Sequence, residues 1–448
     1  MTNRRTEEEP ATVSRAQRGT RPDGEIRDRW SWVEPNVWTD RMLTALERGV
    51  KGGKWHSLID KVYSEANLRA AFAKVKANRG SAGVDRQTIA GFEADLEGNL
   101  AYLTEVVRRG TYRPKPIHRV WIPKPGKQEK RPLGIPTIRD RVVQTALRNV
   151  LEPIFERDFA EHSYGFRPGR GCKDALRRVA ALLKEGYIFV VDADLKSYFD
   201  TIDHERLLDL VRGKVSDTSL LSLLSSYLTQ EVMDTAGGWT PERGTPQGAV
   251  ISPLLSNIYL DPLDHLAVSE GLEMVRYADD FVILCRTHAD ALSALHMVAT
   301  WTNSVGLTLH SEKTRVVNAT EPGGFDFLGY HFEQGRRWPS SKSLKKFKDT
   351  IRSKTSRSCG TGLRAIIQDL NHTLVGWFEY FKHSYPPTFG FLDAWIRMRL
   401  RSIMRRRSRR RGRGRGWDHI RWPNVFFAAR GLFSLRTAHA LAGQPRKG

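Results

Sequence analysis

The stretch Tyr277-Ala278-Asp279-Asp280 constrains this chain most, because it sets two carboxylates side by side in the middle of an apolar run over residues 273–285. Met274, Val275, Arg276 and Tyr277 before it, and Phe281, Val282, Ile283 and Leu284 after it, have strand character. The pair therefore reads as the turn of a β-hairpin. Carboxylates held together at a tight turn repel one another, and hard divalent cations with oxygen ligands relieve that repulsion. Taken alone, the same residues also describe an ordinary solvated turn.

A second segment narrows the choice. Tyr187-Ile188-Phe189-Val190-Val191 is a strong strand former that ends in Asp192-Ala193-Asp194. Buried beside the hairpin, it sets Asp194 next to Asp279, and carboxylates converging from distant segments suit a pair of divalent ions under a triphosphate. Asp192 lies two residues earlier and, by alternation, faces the same side of the strand. Asp194 is nearer the strand end and is the expected ligand; Asp200 and Asp203 read as outer partners or helix caps.

The chain has 448 residues, 40% of them hydrophobic, enough for two to four domains with ordinary cores. Its formal charge of +22 implies a polyanionic partner. No run of apolar residues is long enough to span a membrane, and the polar start of the chain lacks a signal-peptide core, so a cytoplasmic protein with no membrane partner is expected. Cys172, Cys285 and Cys359 are scattered and supply neither a disulfide framework nor a zinc site.

In order and spacing, a longer series of motifs resembles the bacterial group II intron-encoded proteins, which combine a reverse transcriptase with an RNA-splicing maturase. The series runs through Asn78-Arg79-Gly80-Ser81-Ala82-Gly83-Val84-Asp85, Ile122-Pro123-Lys124-Pro125-Gly126, Arg131-Pro132-Leu133-Gly134-Ile135-Pro136 and Tyr164-Gly165-Phe166-Arg167-Pro168. It continues through the Asp194 segment, Gly244-Thr245-Pro246-Gln247-Gly248, the Tyr277 tetrad, Phe327-Leu328-Gly329 and Gly376-Trp377-Phe378-Glu379-Tyr380-Phe381. The resemblance is to members without a C-terminal His-Asn-His endonuclease domain. It implies an α+β fold with right-hand polymerase architecture, fingers and palm followed by an α-helical thumb/maturase domain.

On that basis the chain divides into a disordered leader over 1–28, an N-terminal helical extension over 29–109, fingers over 110–185 and a palm over 186–336 with finger-side insertions. A helical thumb/maturase domain over 337–404 and an Arg-rich nucleic-acid-binding segment over 405–448 complete it. Helical spacing is visible over 37–50 and 59–75, a long helix over 139–155, another over 172–183, and helices over 207–230, 251–259 and 289–305. Residues 119–123 and 130–135 read as a hairpin around Pro125-Gly126, and residues 325–332 as another. Further helices are expected over 340–352, 363–370, 375–382 and 392–404.

The implied activity is RNA-directed DNA polymerisation: a primer 3′-hydroxyl attacks the α-phosphate of a deoxynucleoside triphosphate. Two Mg2+ ions, with Mn2+ as a substitute, would be held by Asp194, Asp279 and Asp280. Lys124 and Arg131 would clamp the triphosphate, since charge-assisted bonds to phosphate are strong and Arg binds it bidentately. Phe199, Gln247 and Lys313 match family positions beside the nucleotide, and Phe199 would exclude a ribose 2′-hydroxyl. Lys342, Lys345, Lys346 and Lys348 on one helix suit phosphates without base readout. So do Arg405, Arg406, Arg407, Arg409, Arg410, Arg411, Arg413 and Arg415, a run that repels itself unless an anion neutralises it.

Implied partners are the chain's own group II intron RNA, an RNA template with a DNA primer, deoxynucleotides and target DNA, in a nucleoid or ribonucleoprotein setting. Two other readings fit the same residues: a stand-alone reverse transcriptase of DNA repair or phage defence, and a non-catalytic RNA-binding splicing factor. The apolar residues Trp422, Val425, Phe426, Phe427, Leu432 and Phe433 imply that the chain packs again after its Arg run.

Overall fold

The computed structural model describes residues 23–123, 130–235, 237–358, 360–410, 412 and 416–442. Lys124, Arg411, Arg413, Arg415 and most of the expected leader lie outside the described residues. The last part of that leader is ordered, contrary to expectation. Asp23–Arg29 is a helix, with Ile26 and Trp30 buried and Glu47 accepting from both Arg29 and the Trp30 indole at 2.9 Å.

The extension over 29–109 shares one core with the fingers. Helix Ile138–Glu156 is buried nearly all round, polar side chains included, and each buried polar group needs a partner. Asn67 donates to the Ala146 carbonyl (3.1 Å), Asn149 donates to Asn67 (2.8 Å), and the Trp38 indole donates to the Asn149 carbonyl (2.9 Å). The central helix is thereby locked to helix Glu65–Ala77 and to the loop at Trp38.

Among the described residues, eleven strands form three sheets. β1 (Ile117–Pro123) and β2 (Lys130–Ile135) make the expected hairpin. The palm strands are β3 (Phe189–Asp194), β6 (Glu273–Tyr277), β7 (Asp280–Cys285) and β8 (Arg315–Asn318), in the order β6-β7-β3-β8 and antiparallel throughout. A third sheet holds β9 (Phe325–Phe327), β10 (Tyr330–Glu333) and β11 (Arg336–Pro339).

β4 (Val232–Asp234) and β5 (Gly237–Trp239) extend the fingers hairpin to the order β2-β1-β4-β5. Sequence gave no sign of them, because Gly237-Gly238 has low strand propensity and only pairing with β1 holds the segment extended.

Alternation sorts the palm sheet. Val191, Ala193, Met274, Phe281, Ile283 and Cys285 join the main core with helices Ser252–Ser269 and His288–Ser304. Val190, Val275, Val282 and Leu284 face helix Cys172–Lys184 and the third sheet. This second face carries the charged ends of β3 and β7.

Two helix boundaries differ from expectation. Residues 207–230 are two helices, His204–Arg212 and Thr218–Leu228. Asp217 stops the run: it caps the second helix at the Leu220 N–H (3.0 Å) and accepts from the Leu58 (2.6 Å) and Ile59 (2.8 Å) N–H groups. Conversely, residues 363–370 and 375–382 join as one helix, Leu363–Phe381, because a continuous stripe of Ile366, Ile367, Leu370, Leu374 and Phe378 is buried. That burial outweighs the roughly 1 kcal/mol an interior Gly376 costs.

Beyond the palm, helices Ser341–Lys354, Leu363–Phe381 and Pro387–Arg407 surround their own core, and Trp422, Phe427 and Leu435 return to it as expected. Asp393 fixes that return by accepting from the Leu435 N–H (3.0 Å) and the Ser434 hydroxyl (2.7 Å).

Candidate active site

Tyr277 pairs with Asp280 across the β6–β7 hairpin, so Ala278 and Asp279 alone form the loop. Asp280 is therefore the first residue of β7 rather than part of a turn, a correction to the expected placement. A two-residue hairpin loop needs a positive φ at its first position, and Ala278 supplies it at +60°. For alanine that conformation is strained. Gly165 packs against the Ala278 backbone so closely that a Cβ has no room.

Arg276 holds the loop from below. It is fully buried and donates to Asp264 Oδ1 (2.7 Å), Asn257 Oδ1 (3.0 Å) and the carbonyl of Ala278 (2.9 Å). Burial works against its charge, but Asp264 outweighs it, and the guanidinium is held above its ordinary value. A charged residue inside Met274-Val275-Arg276 was the sequence signal for this clamp, and the sequence reading left it without a role.

β3 delivers the second carboxylate. Asp194 lies directly opposite Asp280 in the β3–β7 register, at the end of both strands. Asp192 and Asp194 share the face of Val190 by alternation, so Asp192 also points towards the site. Burial first, then Asp192, Asp279 and Asp194, push the Asp280 carboxyl up to about 7. Burial raises Asp192 to about 6, against the opposing charge of Arg315, whose Nε lies 3.5 Å away. Asp279 is raised as well, by burial and, more weakly, by Asp194. Asp192 thus belongs to the charged group, although sequence ranked it below Asp194.

Among the described residues, no three His, Cys, Asp or Glu side chains converge closely enough to hold a metal ion. The backbone brings Asp194 and Asp280 together, but Asp194 Oδ2 is bound by Lys313 Nζ. The loop carrying Lys313 is anchored on the same strand end, through the His310 N–H to the Asp194 carbonyl at 2.8 Å. Mutually repelling carboxylates of this kind still suit a hard divalent ion, which would relieve the repulsion that, after burial, helps to raise Asp279 and Asp280.

Of the expected nucleotide-side residues, Phe199 and Gln247 meet at the turn over 244–248. Phe199 sits in the short helix Tyr198–Thr201, which begins at a left-handed Ser197 (φ 50°, ψ 39°). It is half-buried, its ring 5.4 Å from that of Tyr198, and its carbonyl accepts from the Thr245 N–H at 2.7 Å. Gly244, at φ +90°, packs on the Phe199 and Asp200 backbone where a Cβ does not fit. Gln247 is half-buried, and its carbonyl accepts from the Gly134 N–H of β2 at 2.6 Å, tying fingers to palm. Arg131 is exposed on β2, opposite Ile122.

Lys342, Lys345 and Lys346 are exposed on helix Ser341–Lys354, and Lys348 is half-buried. Arg405, Arg406 and Arg407 are not in a loose run but in the last turn of helix Pro387–Arg407, where cations complement the helix dipole. Arg405 is bound to buried Asp418 at 2.7 Å, and Arg407 to the Thr361 carbonyl. Arg409 and Arg410 are exposed.

Residues 122–332 match the family model described as reverse transcriptase (RNA-dependent DNA polymerase), and residues 344–422 match the maturase-specific domain of group II introns. Protein YkfC of Escherichia coli (strain K12) is 33% identical, over 75% of this chain and 94% of that protein. The group II intron-encoded protein LtrA of Lactococcus lactis subsp. cremoris is 36% identical over 46% of this chain and 34% of its own length. A putative COX1/OXI3 intron 1 protein of Saccharomyces cerevisiae is 28% identical over 71% of this chain and 44% of that one. The alignments thus span about a third and under half of the lactococcal and yeast proteins.

Proposed function

The chain belongs to the family of group II intron-encoded reverse transcriptases and maturases, and from that membership we propose that it copies RNA into DNA with Asp194, Asp279 and Asp280 as its catalytic carboxylates. The observation that carries the reading is the register: Asp194 faces Asp280 at the shared end of two buried strands, with Asp279 in the adjoining loop. Mg2+ bound there, or Mn2+ in its place, supplies Lewis-acid activation of the primer hydroxyl and charge neutralisation at the leaving pyrophosphate.

The chain's own residues provide positioning. Arg131 pairs with phosphate oxygens, Phe199 lies under the sugar and rejects a 2′-hydroxyl, and Gln247 orients the nucleotide from the turn over 244–248. Lys313, now paired with Asp194, would be free to pair with the triphosphate were that carboxylate to hold a divalent ion. Catalysis then comes from alignment and fixed charge rather than from a side-chain base.

The helical half, with Lys342, Lys345, Lys346, Lys348, Arg406, Arg409 and Arg410, binds the backbone of the chain's own group II intron RNA and holds its spliced fold. Template, primer and target DNA share the same basic surfaces, in a cytoplasmic ribonucleoprotein. The maturase-specific match over 344–422 supports this reading over a stand-alone reverse transcriptase or a non-catalytic splicing factor. Among the described residues, no helix is long and apolar enough to cross a membrane.

The test is primer extension on an RNA template with Asp279→Asn. The expected outcome is loss of incorporation with intron binding retained; incorporation near the wild-type rate rejects the assignment.

A further inference from the structure

The fingers sheet carries an aromatic arrangement that the proposed chemistry does not use. On β1, Arg119 and Trp121 are two residues apart and share a face. β4 joins β1 at Ile117 and Val232, and Trp239 of β5 pairs with Val232, which brings Trp239 beside Arg119. The Arg119 guanidinium lies 4.4 Å from the Trp239 ring centroid and 5.8 Å from that of Trp121. It stands between two indoles, within the range of cation–π attraction. Both indoles are open to solvent, Trp121 by 46% and Trp239 by 37%.

Nothing in the fold requires these rings to be exposed. The short β4–β5 hairpin adds no residue to the main core beyond its pairing, and its outer strand reads Gly-Gly-Trp. The face is continuous with the nucleotide end of the candidate site. Burial raises the Asp200 carboxyl, next to Phe199, while the charge of Arg119 opposes that rise; β2, at the other side of β1, carries exposed Lys130 and Arg131.

We propose that Arg119, Trp121 and Trp239 form a stacking site for an unpaired nucleobase of single-stranded RNA or DNA. Flat, exposed indoles accept any base by its π-face, a guanidinium between them adds attraction to the same faces, and flanking cations track the phosphates. An apolar protein segment would leave the charges of Arg119 and of Lys130, which shares its face of the hairpin, unanswered. A nucleic-acid strand satisfies both. The site discriminates paired from unpaired bases, since a base inside a duplex offers no free face. It requires no catalytic step and stands independently of the polymerase reading.

The experiment is equilibrium binding of the full chain to two fluorescent RNA–DNA duplexes, one blunt and one with a 5′ overhang carrying 2-aminopurine. For Trp239→Ala and Trp121→Ala, affinity for the overhang duplex is expected to fall about fivefold or more, with the blunt duplex unchanged and 2-aminopurine quenching lost. Trp239→Phe should restore most of the quenching. Because stacking carries no charge, the salt dependence of binding in the Trp variants should match wild type, whereas Arg119→Ala lowers its slope. Equal losses on both duplexes, or unchanged affinity and quenching in variants with wild-type melting curves, overturn the proposal; the second result points to a protein contact instead.

Discussion

Arg276 donates a 2.9 Å hydrogen bond to the carbonyl of Ala278, across the loop that presents Asp279. The same guanidinium is bound to Asp264 in a fully buried pair. Removing one partner of such a pair leaves an uncompensated charge and costs about 3–5 kcal/mol. Arg276→Met is therefore expected to be markedly destabilised, and Arg276→Met with Asp264→Leu to recover much of the stability, since neither charge is then stranded. The double variant still lacks the donor to Ala278. Its rate of nucleotide incorporation should stay at least tenfold low while duplex affinity remains near wild type, read by single-turnover primer extension beside thermal melts. Full recovery of both stability and rate would make Arg276 a packing residue only.

The raised carboxyls of Asp280 and Asp192 give a second prediction, with a definite sign. Asp280 titrates at about 7 in the fold against an ordinary 3.8, and Asp192 at about 6. The folded chain thus binds these protons more tightly than the unfolded chain does. Their contribution to stability is full below the ordinary carboxylate range and is lost as pH rises through the folded values. Without divalent ions, wild type should lose thermal stability between about pH 5 and pH 8, and Asp280→Asn should lose less. Added Mg2+ at about pH 8 should raise the wild-type Tm by a few °C and the variant's by less, because binding to the folded state alone stabilises it. Calorimetry across that pH range checks it, and parallel pH profiles for the two proteins would reject it.

Phe199 offers a test of substrate choice. Its backbone is fixed by the Thr245 N–H at 2.7 Å and by the fit of Gly244 behind it, so shortening the side chain leaves the turn in place. Phe199→Val is expected to raise incorporation of ribonucleotides relative to deoxynucleotides on the order of tenfold or more, by opening space for a 2′-hydroxyl. Competition between the two nucleotide types on one template measures the ratio directly. An unchanged ratio would return Phe199 to the role of a core residue packed on Tyr198.

Much of this was legible in the order of strands and acids. The hairpin around Asp279, the strand ending at Asp194 and the basic β1–β2 hairpin follow from alternation and turn residues, which are local properties. The β4–β5 hairpin did not, since Gly237 and Gly238 carry no strand preference and only β1 holds them extended. The break at Asp217 was hidden for a similar reason. Its cap is local, but the two bonds to Leu58 and Ile59 that make it worth forming come from far along the chain. Lys313 illustrates the limit at the site: sequence placed it near the nucleotide, and only the folded loop shows it bound to Asp194 itself.

One turn links the maturase-half helix to the strands of the candidate site. Tyr380, on helix Leu363–Phe381, donates from its hydroxyl to the Leu328 carbonyl at 2.7 Å, while Tyr330 donates to the Tyr380 carbonyl at 2.8 Å. Leu328 and Gly329 form the β9–β10 turn, both with positive φ, and the Leu328 N–H supports the Asp280 carboxylate. One peptide turn thus touches an acid of the candidate site on one side and a helix of the maturase half on the other. Tyr380→Phe removes the hydrogen bond to Leu328, worth about 1 kcal/mol net, together with the hydroxyl's contact to Cys172, and keeps the ring against Tyr330 and Phe381. If the turn transmits position, kcat for primer extension should fall several-fold with the nucleotide KM and intron affinity unchanged. A loss confined to intron affinity would mean that the contact serves the helical half alone.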